Sequence, residues 1–281
     1  MTTSWTPIQQ KRLKELNVGK EQLKKSFETP SERDRAYQEL EKSLVQSGKR
    51  HLEELRTIHR RPALCRLEDK LIHALTREGF VQVVTPIILA KGLLAKMSIT
   101  DDHPLASQVF WIGDNKCLRP MLAPNLYFLL KDLLRLWQKP VRIFEVGPCF
   151  RKESQGAQHL NEFTMLNLAE MGLREEERDE HMKAFAALVM EEAGIHPYEM
   201  RTTSSEVYGT TVDILVEGYD FELGSGAMGP HPLDEPWGIV VPWVGIGFGL
   251  ERLLMVKEGR TNIKSVARGL TYLDGVRLNI E

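Results

Sequence analysis

The spacing of apolar residues changes along the chain and predicts both helices and strands. Leucines recur every four residues from Leu67 to Leu75, which predicts a helix over residues 64–78. Gly79 follows this stretch and is a candidate C-cap. Helical spacing also extends over about residues 6–60, where leucines lie among charged side chains.

Within this N-terminal stretch, Pro30 predicts the start of a helix and Gly48 is a candidate irregularity. Further helices are predicted over 124–137, 175–193 and 250–258, and strands over 80–85, 108–112, 116–118, 141–150, 162–170 and much of 198–248. The strands come in runs joined by turns and do not alternate regularly with helices. This order predicts an α+β fold in which helices flank an antiparallel sheet.

Composition favours one large globular domain, or one domain with a small appendage, because 42% of the 281 residues are hydrophobic and 27% are charged. No apolar run approaches the roughly 18 residues of a membrane span, and the N-terminus lacks a signal-peptide pattern. We therefore expect a cytoplasmic protein that does not enter a membrane. Cys65, Cys117 and Cys149 are scattered, which favours reduced thiols over a disulfide framework or a zinc site.

The charge is distributed unevenly along the chain. Residues 1–61 contain 14 basic and 9 acidic side chains, whereas residues 62–281 contain 23 and 30. We take Pro62 as the boundary between a basic helical N-terminal segment and the main domain. A basic segment suits contact with a polyanion; a solvated helical face is the alternative, since acidic residues are interleaved throughout.

Two common nucleotide and metal signatures are absent from the sequence, namely a GxxxxGK[ST] loop and an HExxH helix. Gly245, Gly247 and Gly249 form a GxGxG pattern, but Leu250 stands where a dinucleotide fingerprint requires glycine. Any bound nucleotide must therefore be contacted in another way.

Three segments, in chain order, combine a strand with residues suited to a nucleotide. The first, residues 79–86, passes from a helix end through a strand to Pro86. In the second, a strand ends in Arg151-Lys-Glu153, and the chain returns as a strand after a polar loop. Residues two apart on a strand share one face, so a guanidinium for phosphate and a carboxylate for an adenine amino group would lie together. Alone, such a pair is more often an ion pair beside a turn.

The third segment, residues 242–255, is a glycine-rich strand that leads directly into a helix. Glycines allow a ligand to lie flat against a strand. The helix N-terminus and Arg252 in its first turn together present positive charge to a phosphate. The alternative is a tightly packed corner in which Arg252 pairs with an acid such as Glu251.

In this order, the three segments resemble motifs 1, 2 and 3 of the class II aminoacyl-tRNA synthetases. The resemblance implies an antiparallel sheet, a bent ATP, Mg²⁺ and dimerisation through motif 1. It implies that Arg151 contacts the α-phosphate and Arg252 the γ-phosphate, with Glu222 as a third catalytic residue. By the same resemblance, the residues that contact ATP and Mg²⁺ are Arg151, Glu153, His159, Leu160, Phe163, Glu222, Ser225 and Arg252, with Glu222 and Ser225 at the metal.

Longer runs make the resemblance more specific. Residues 118–127, 151–167, 207–209 and 272–275 closely resemble the pyrrolysyl-tRNA synthetases within this class. The likeness covers nearly the whole chain. It implies ATP-dependent activation of pyrrolysine, a lysine-amide derivative, and its ligation to the pyrrolysine tRNA through an aminoacyl-adenylate.

A set of mostly apolar residues is then expected to line the amino-acid pocket. One helix face would supply four of them, which without the motifs would be interpreted as core. The predicted substrate residues are Ala123, Leu126, Tyr127, Leu130, Asn167, Ala169, Tyr208, Ser225, Trp243 and Gly245. Since no acid stands among these walls, the pocket suits a long uncharged side chain and not free lysine.

Two of these residues have predicted roles of their own. Asn167 is a polar residue among apolar neighbours and is a candidate donor to a substrate amide carbonyl. A buried amide left unpaired costs about 1–3 kcal/mol, so such a site rejects substrates that lack the carbonyl. Tyr208 lies in a Tyr-Gly turn and is a candidate lid.

The resemblance also predicts partners. We expect a homodimer, with the basic segment 1–61 contacting tRNA. Many archaeal relatives carry an additional N-terminal RNA-binding domain, and we expect this protein to lack one. A separate N-terminal-domain protein is one expectation, and a catalytic domain that needs no such protein is the other. The competing functions are a synthetase for another large hydrophobic amino acid, such as phenylalanine, and a non-catalytic synthetase-like protein.

Overall fold

The computed structural model describes residues 2–152 and 160–280. Their α-helices are α1 (Pro7–Glu15), α2 (Lys20–Leu23), α3 (Pro30–Glu54), α4 (Ala63–Arg77), α5 (Lys91–Ala95), α6 (Ala123–Leu136), α7 (Arg178–Ala193) and α8 (Leu250–Lys257). Their strands are β1 (Thr3–Ser4), β2 (Ser26–Phe27), β3 (Val81–Gln82), β4 (Ile88–Ala90), β5 (Trp111–Ile112), β6 (Lys116–Leu118), β7 (Val141–Phe150), β8 (Glu162–Met171), β9 (Glu199–Ser205), β10 (Gly209–Leu215), β11 (Gly224–Gly229), β12 (Trp243–Gly249), β13 (Tyr272–Leu273) and β14 (Val276–Arg277).

These residues form two compact units. One comprises the described parts of 1–66 and 254–281 together with Leu160, and the other the described parts of 67–154 and 161–253. The division between a segment 1–61 and a domain 62–281 stays a prediction.

The first unit contains α1 to α3 and the hairpin β13–β14. Its small core is built around Trp5, whose ring lies 4.5 Å from that of Phe27. Helix α3 starts at Pro30, as predicted, and runs straight through Gly48. A Cβ at Gly48 would lie 3.0 Å from Val276, so glycine there allows the C-terminal hairpin to approach the helix. The helical irregularity comes later, as a π-helical turn at Leu55–His59.

The second unit is organised around a seven-stranded sheet with the order β3-β7-β8-β12-β11-β10-β9. All neighbours in it are antiparallel except the parallel pair β3–β7. The prediction of an antiparallel sheet flanked by helices is therefore confirmed. The predicted strand over 80–85 is shorter than expected, since only Val81–Gln82 pairs with β7.

The two faces of this sheet differ in side-chain size. One face carries Leu166, Leu168, Ile246 and Phe248, all fully buried. Helix α7 packs closely on this side, where a Cβ at Gly226 would lie 2.6 Å from the sulfur of Met182. The opposite face carries small and polar residues at its centre, namely Asn167, Ala169, Gly245 and Gly247, with Trp243 and Met171 at one end, and it is partly open to solvent. No helix in the described residues is long and apolar enough to cross a membrane.

Candidate active site

Antiparallel register brings two of the predicted site residues, Asn167 and Ser225, into one row across the open face. Asn167 on β8 lies opposite Gly247 on β12, which lies opposite Ser225 on β11. Residues directly opposite one another in a sheet project to the same side. The next row on this face consists of Ala169, Gly245 and Ala227. Small residues in adjacent rows leave a shallow floor on which a ligand can lie.

Helix α6 supplies the predicted apolar wall. Ala123, Leu126, Tyr127 and Leu130 are all buried, and they share one cluster with Ala169 and Trp243. Tyr127 lies between two tryptophan rings: its ring is stacked on Trp237 at 5.4 Å and meets Trp243 edge-on at 5.7 Å. The structure therefore brings these sequence-predicted substrate residues together.

An acid that the sequence prediction did not include lies directly behind this wall. Asp234 is 2% exposed. Its carboxylate accepts hydrogen bonds from the Tyr127 hydroxyl at 3.1 Å, the Trp243 indole N–H at 2.8 Å and the His231 backbone N–H at 2.7 Å. Three donors to one carboxylate fix the orientation of both aromatic side chains.

The pKa of the Tyr127 hydroxyl is raised strongly. Burial is the main cause, and electrostatic interactions with Tyr208 and Asp234 add to it. The phenol therefore stays protonated and remains a donor to Asp234 at any physiological pH. The carboxylate thus belongs to the support of the pocket, and it does not contradict a pocket for an uncharged side chain.

Tyr208 lies in the tight turn between β9 and β10, as its sequence context predicts, and Gly209 follows with a positive φ of 65°. Its ring contacts Trp243 edge-on at 6.4 Å. Burial raises the pKa of its hydroxyl, and Asp234 adds to the effect. Tyr208 thus lies beside the aromatic wall, where the lid hypothesis requires it.

Asn167 is half-buried, and its amide nitrogen donates to the Ile246 carbonyl at 3.1 Å. A second contact, to the Leu168 carbonyl, is long at 3.4 Å. A carboxamide nitrogen has two hydrogens. One of them is therefore well placed on the backbone, and the other makes only a weak internal contact.

Arg151 lies at the end of β7, on the strand pair that carries motif 2. Its Nε donates to the Pro120 carbonyl at 2.9 Å, and its backbone N–H to the Asn161 carbonyl at 3.0 Å. The guanidinium lies 5.3 Å from the Phe163 ring. Phe163 shares the open face with Asn167, because the two are four residues apart on β8. A cation and an aromatic ring are therefore adjacent, an arrangement that suits a phosphate and a base.

Arg252 and Glu222 contact each other directly. Arg252 Nη1 lies 2.5 Å from Glu222 Oε1 and 3.0 Å from the Glu222 carbonyl oxygen. The guanidinium also lies 5.2 Å from the Phe221 ring. Among the contacts of the described residues, Arg252 pairs with Glu222, whereas the Glu251 carboxylate accepts from the Thr164 backbone N–H at 2.9 Å. Residues predicted for γ-phosphate and metal are thus neighbours.

The side chains predicted as metal ligands, Glu222 and Ser225, are of a kind that suits Mg²⁺. A carboxylate and a hydroxyl are the hard donors that this ion prefers, and Mg²⁺ commonly uses only one or two protein oxygens together with substrate phosphates. In the described ranges, no group of three or more His, Cys, Asp or Glu side chains forms a ready metal cage. The Ser225 hydroxyl donates to Asp213 at 2.6 Å, so any metal ligation by it would have to share that hydroxyl.

Motif 1 ends in a buried polar network that sequence reasoning missed. Arg119 and Glu145 form an ion pair at 2.7 Å, with side chains 2% and 1% exposed. The other carboxylate oxygen of Glu145 accepts from the Thr85 hydroxyl at 2.6 Å, and the Asn125 amide donates to the same hydroxyl at 2.6 Å. This network joins the end of motif 1 to the first turn of α6. It therefore sets where the pocket wall begins.

The remaining predicted nucleotide residues are only partly covered. Glu153 and His159 lie outside the described residues. Leu160 is described and is half-buried. Their predicted contacts with adenine stay predictions.

The family profile described as tRNA synthetases class II core domain (F) matches residues 49–274. The chain therefore belongs to the class II aminoacyl-tRNA synthetases. Over its whole length it is similar to the crystal structure of pyrrolysyl-tRNA synthetase from Desulfitobacterium hafniense, with 60% identity, a TM-score of 0.94 and 100% of both chains covered. A second structure of a pyrrolysyl tRNA synthetase from that organism is also 60% identical, has a TM-score of 0.91 and covers 99% of this chain and 96% of its own. The resemblance inferred from the sequence is thereby confirmed.

More distant relatives belong to other ligases of the class. The chain is 26% identical over 53% of its length to the O-phosphoserine–tRNA(Cys) ligase of Methanopyrus kandleri, and 28% identical over 46% to the phenylalanine–tRNA ligase alpha subunit of Methanospirillum hungatei. It is 30% identical over 39% to the histidine–tRNA ligase of Methanocaldococcus jannaschii. The aligned regions span only 31%, 27% and 26% of these relatives.

Proposed function

We propose that this chain activates pyrrolysine with ATP and ligates it to its tRNA through an aminoacyl-adenylate. The observation that carries the proposal is the shared sheet face, where Asn167 and Phe163 lie on one strand beside the buried aromatic wall. The likeness to the pyrrolysyl-tRNA synthetase of Desulfitobacterium hafniense over both whole chains supports this choice of amino acid.

Activation would need positioning and charge stabilisation more than acid–base chemistry. The amino-acid carboxylate attacks the α-phosphate in line, and pyrophosphate leaves. We assign Arg151 to the α-phosphate, because its guanidinium is oriented by the Pro120 carbonyl and lies beside Phe163. We assign Arg252 to the γ-phosphate. Charge that develops on the phosphoryl oxygens would be stabilised by both guanidinium groups.

ATP binding would change the partners of Arg252. In the structure, its guanidinium contacts Glu222 at 2.5 Å, with side chains 25% and 44% exposed. A phosphate can replace the carboxylate as partner of the guanidinium. The freed Glu222 oxygens, with Ser225 nearby in the chain, would then be ligands for Mg²⁺, which when bound neutralises phosphate charge.

Selectivity for a lysine amide would come from Asn167. The weak 3.4 Å contact of its amide nitrogen leaves one hydrogen that a ligand carbonyl can accept. The apolar side chains of α6 would enclose the methylene chain of pyrrolysine and the ring at the end of its side chain. Phenylalanine, the competing substrate, offers no carbonyl in its side chain, so it gains nothing from Asn167.

The basic N-terminal segment is our candidate tRNA contact. Lys49, Arg50, Arg56 and Arg60 are exposed along α3 and the π-helical turn that follows it. Contacts to phosphates make affinity fall steeply with salt. Involvement of a separate N-terminal-domain protein stays a prediction.

A homodimer through motif 1 is part of the same proposal. The segment from β3 to β4 exposes Val84 (88%), Ile88 (53%) and Ile87 (41%). Apolar side chains exposed together in one segment are typical of an interaction surface. Sedimentation equilibrium is expected to give twice the chain mass, and a monomer at micromolar concentration would contradict the dimer.

Charging of tRNA tests the proposal as a whole. A pyrrolysine tRNA transcript, the chain, ATP and Mg²⁺ are expected to give aminoacylated tRNA with pyrrolysine and none with phenylalanine, as measured on acidic gels. Charging with phenylalanine alone would overturn the substrate assignment, and charging with neither would overturn the enzymatic one. Exclusion of the metal by EDTA is expected to abolish charging.

A further inference from the structure

The tripeptide His-Pro-Leu occurs twice in the second unit, as His103-Pro104-Leu105 and His231-Pro232-Leu233. Each copy begins a 3₁₀ turn, at Pro104–Gln108 and at Pro232–Trp237. In both, proline stands at the first position of the turn, where its fixed φ and missing N–H are tolerated. The histidine precedes the turn as its N-terminal cap.

The backbone fixes the same tautomer in both imidazole rings. His103 Nδ1 accepts from the Leu105 backbone N–H at 3.1 Å, and His231 Nδ1 accepts from the Leu233 backbone N–H at 3.2 Å. A ring nitrogen that accepts a hydrogen bond carries no proton, so the neutral ring has its proton on Nε2. Each ring therefore presents an Nε2–H donor on its far side.

Both donors face the loop between β9 and β10. His231 Nε2 lies 2.5 Å from the Tyr208 carbonyl oxygen, and His103 Nε2 lies 3.4 Å from the Glu206 carbonyl oxygen. The loop is tightened from within, because the Tyr208 backbone N–H donates to the Ser205 hydroxyl at 2.9 Å. Two histidines from distant parts of the sequence thus bind backbone carbonyls of one short loop.

The second turn connects this loop to the aromatic wall. Asp234 follows His231 by three residues and accepts from both Tyr127 and Trp243. The Tyr208 ring in turn contacts His231 at 6.0 Å and Trp243 at 6.4 Å. A single turn therefore fixes the wall of the pocket and the loop beside it.

We propose that His231 and His103 are positioning residues that fix the Tyr208 loop over the amino-acid pocket and so set the affinity for the amino acid. His231 makes the larger contribution, because its contact with the loop is the shorter one. The inference rests on the proposed function and assigns a specificity role to two residues outside the pocket itself.

Two substitutions at one position separate the cap from the loop contact. In His231→Asn, the shorter side chain still accepts from the backbone two residues on, as asparagine does at helix N-caps, but it cannot reach Tyr208. His231→Gln is longer and can still donate to the loop. His231→Asn is expected to raise the KM for pyrrolysine about tenfold, the effect of one lost hydrogen bond. His231→Gln is expected to raise it less, because it keeps a donor to the loop. The KM for ATP stays unchanged, and kcat changes by less than about twofold.

A double-mutant cycle links the effect to the loop. Tyr208→Ala and His231→Asn together are expected to cost less than the sum of the two single changes, because both remove the same closure. His103→Asn is also expected to raise the KM for pyrrolysine, but by a smaller factor than His231→Asn. His73→Asn, an exposed histidine on α4, is the matched control and leaves both KM values unchanged.

Hydrogen exchange of the loop gives a readout that needs no substrate. Peptides covering residues 203–211 are expected to exchange faster in His231→Asn than in the wild type, and at the wild-type rate in His73→Asn. Unchanged exchange, an unchanged KM for pyrrolysine, or an equal rise in the KM for ATP would each overturn the proposal. A wild-type chain inactive with pyrrolysine would instead contradict the proposed function, while the exchange experiment would still decide whether His231 fixes the loop.

Discussion

The two ends of the candidate site are built differently. At the amino-acid end, the charged group is Asp234, which is 2% exposed and accepts three hydrogen bonds. At the phosphate end, Arg252 and Glu222 are 25% and 44% exposed and contact each other. The charged group at the amino-acid end has its hydrogen bonds formed within the fold, whereas the ion pair at the phosphate end is partly exposed and can exchange its partners.

This difference indicates which end of the site determines amino-acid selectivity and which end determines the rate of the chemical step. Rigid, fully bonded side chains define a pocket before any ligand arrives, which reduces the ordering cost of binding. Surface charges can exchange partners, and their attraction to phosphate gains strength once the ligand excludes water. Changes at the phosphate end should therefore affect catalysis, and changes at the amino-acid end should affect selectivity and stability.

The largest effect is expected from Arg252→Ala. Removal of the guanidinium takes away charge stabilisation of the leaving pyrophosphate and should lower the rate of adenylate formation about 10²- to 10³-fold. The melting temperature should fall only slightly, since the ion pair with Glu222 is partly exposed to solvent, with side chains 25% and 44% exposed. Single-turnover formation of the adenylate measures the rate; a variant as fast as the wild type would show that Arg252 does not contact the reacting phosphates.

The second-largest effect is expected from Asn167→Ala. Loss of a donor to the substrate carbonyl is expected to lower kcat/KM for pyrrolysine about 10- to 100-fold, from an unpaired-amide cost of roughly 1–3 kcal/mol. Any residual use of phenylalanine should not fall. Parallel pyrophosphate-exchange kinetics with the two amino acids check this, and equal losses on both would remove the selective role from Asn167.

Asp234→Asn should destabilise the pocket from behind. The amide keeps the size of the side chain, but its NH₂ group must face one of the three donors to Asp234, namely Tyr127, Trp243 or the His231 backbone. We therefore expect the free energy of unfolding to fall by about 1.5–3 kcal/mol. Urea unfolding measures it. The KM for pyrrolysine should rise, while the KM for ATP should not. Equal changes in the two KM values would mean that the two ends of the site are not separable.

The smallest effect is expected from Tyr127→Phe, which should cost about 1 kcal/mol at pH 8 through the lost bond to Asp234. Because the pKa of Tyr127 is raised in the folded chain, the native state retains its phenol proton when the unfolded chain loses it near pH 10. Stability from this group is thus fully present below pH 10 and declines above it. Urea unfolding at pH 8 and pH 10.5 should show the deficit of the variant shrinking at the higher pH, and a constant deficit would contradict the assignment.

Local sequence patterns predicted most of the fold. Strand β7 begins and ends where its apolar run does, and α6 differs from its predicted bounds by one residue at each end. The N-terminal stretch was less predictable, because the pairing of β1 with β2 interrupts it and depends on contacts between residues far apart in sequence. Of the residues on the open sheet face, the family resemblance named Asn167, Ala169, Ser225 and Gly245 in advance, but not Gly247 or Ala227.

Partners that depend on distant parts of the chain were not predictable. The local sequence predicts only that Asp234 is the acid of a capped turn. Its contact with Tyr127, 107 residues earlier, forms only in the folded chain. Arg119 and Glu145 likewise give no local sign of the buried pair that they form. Nor does sequence spacing show that His103 and His231 contact one loop, since that juxtaposition arises from the sheet topology.

Amino-acid-dependent ATP–pyrophosphate exchange tests the central claim most directly. Pyrrolysine, or a carbamate-modified lysine, is compared with each of the twenty standard amino acids under the same conditions. We predict exchange with the lysine derivative alone, because only it combines a long apolar chain with a carbonyl for Asn167. Exchange only with a standard amino acid would contradict the assignment of pyrrolysine, and exchange with none would contradict catalysis by this chain.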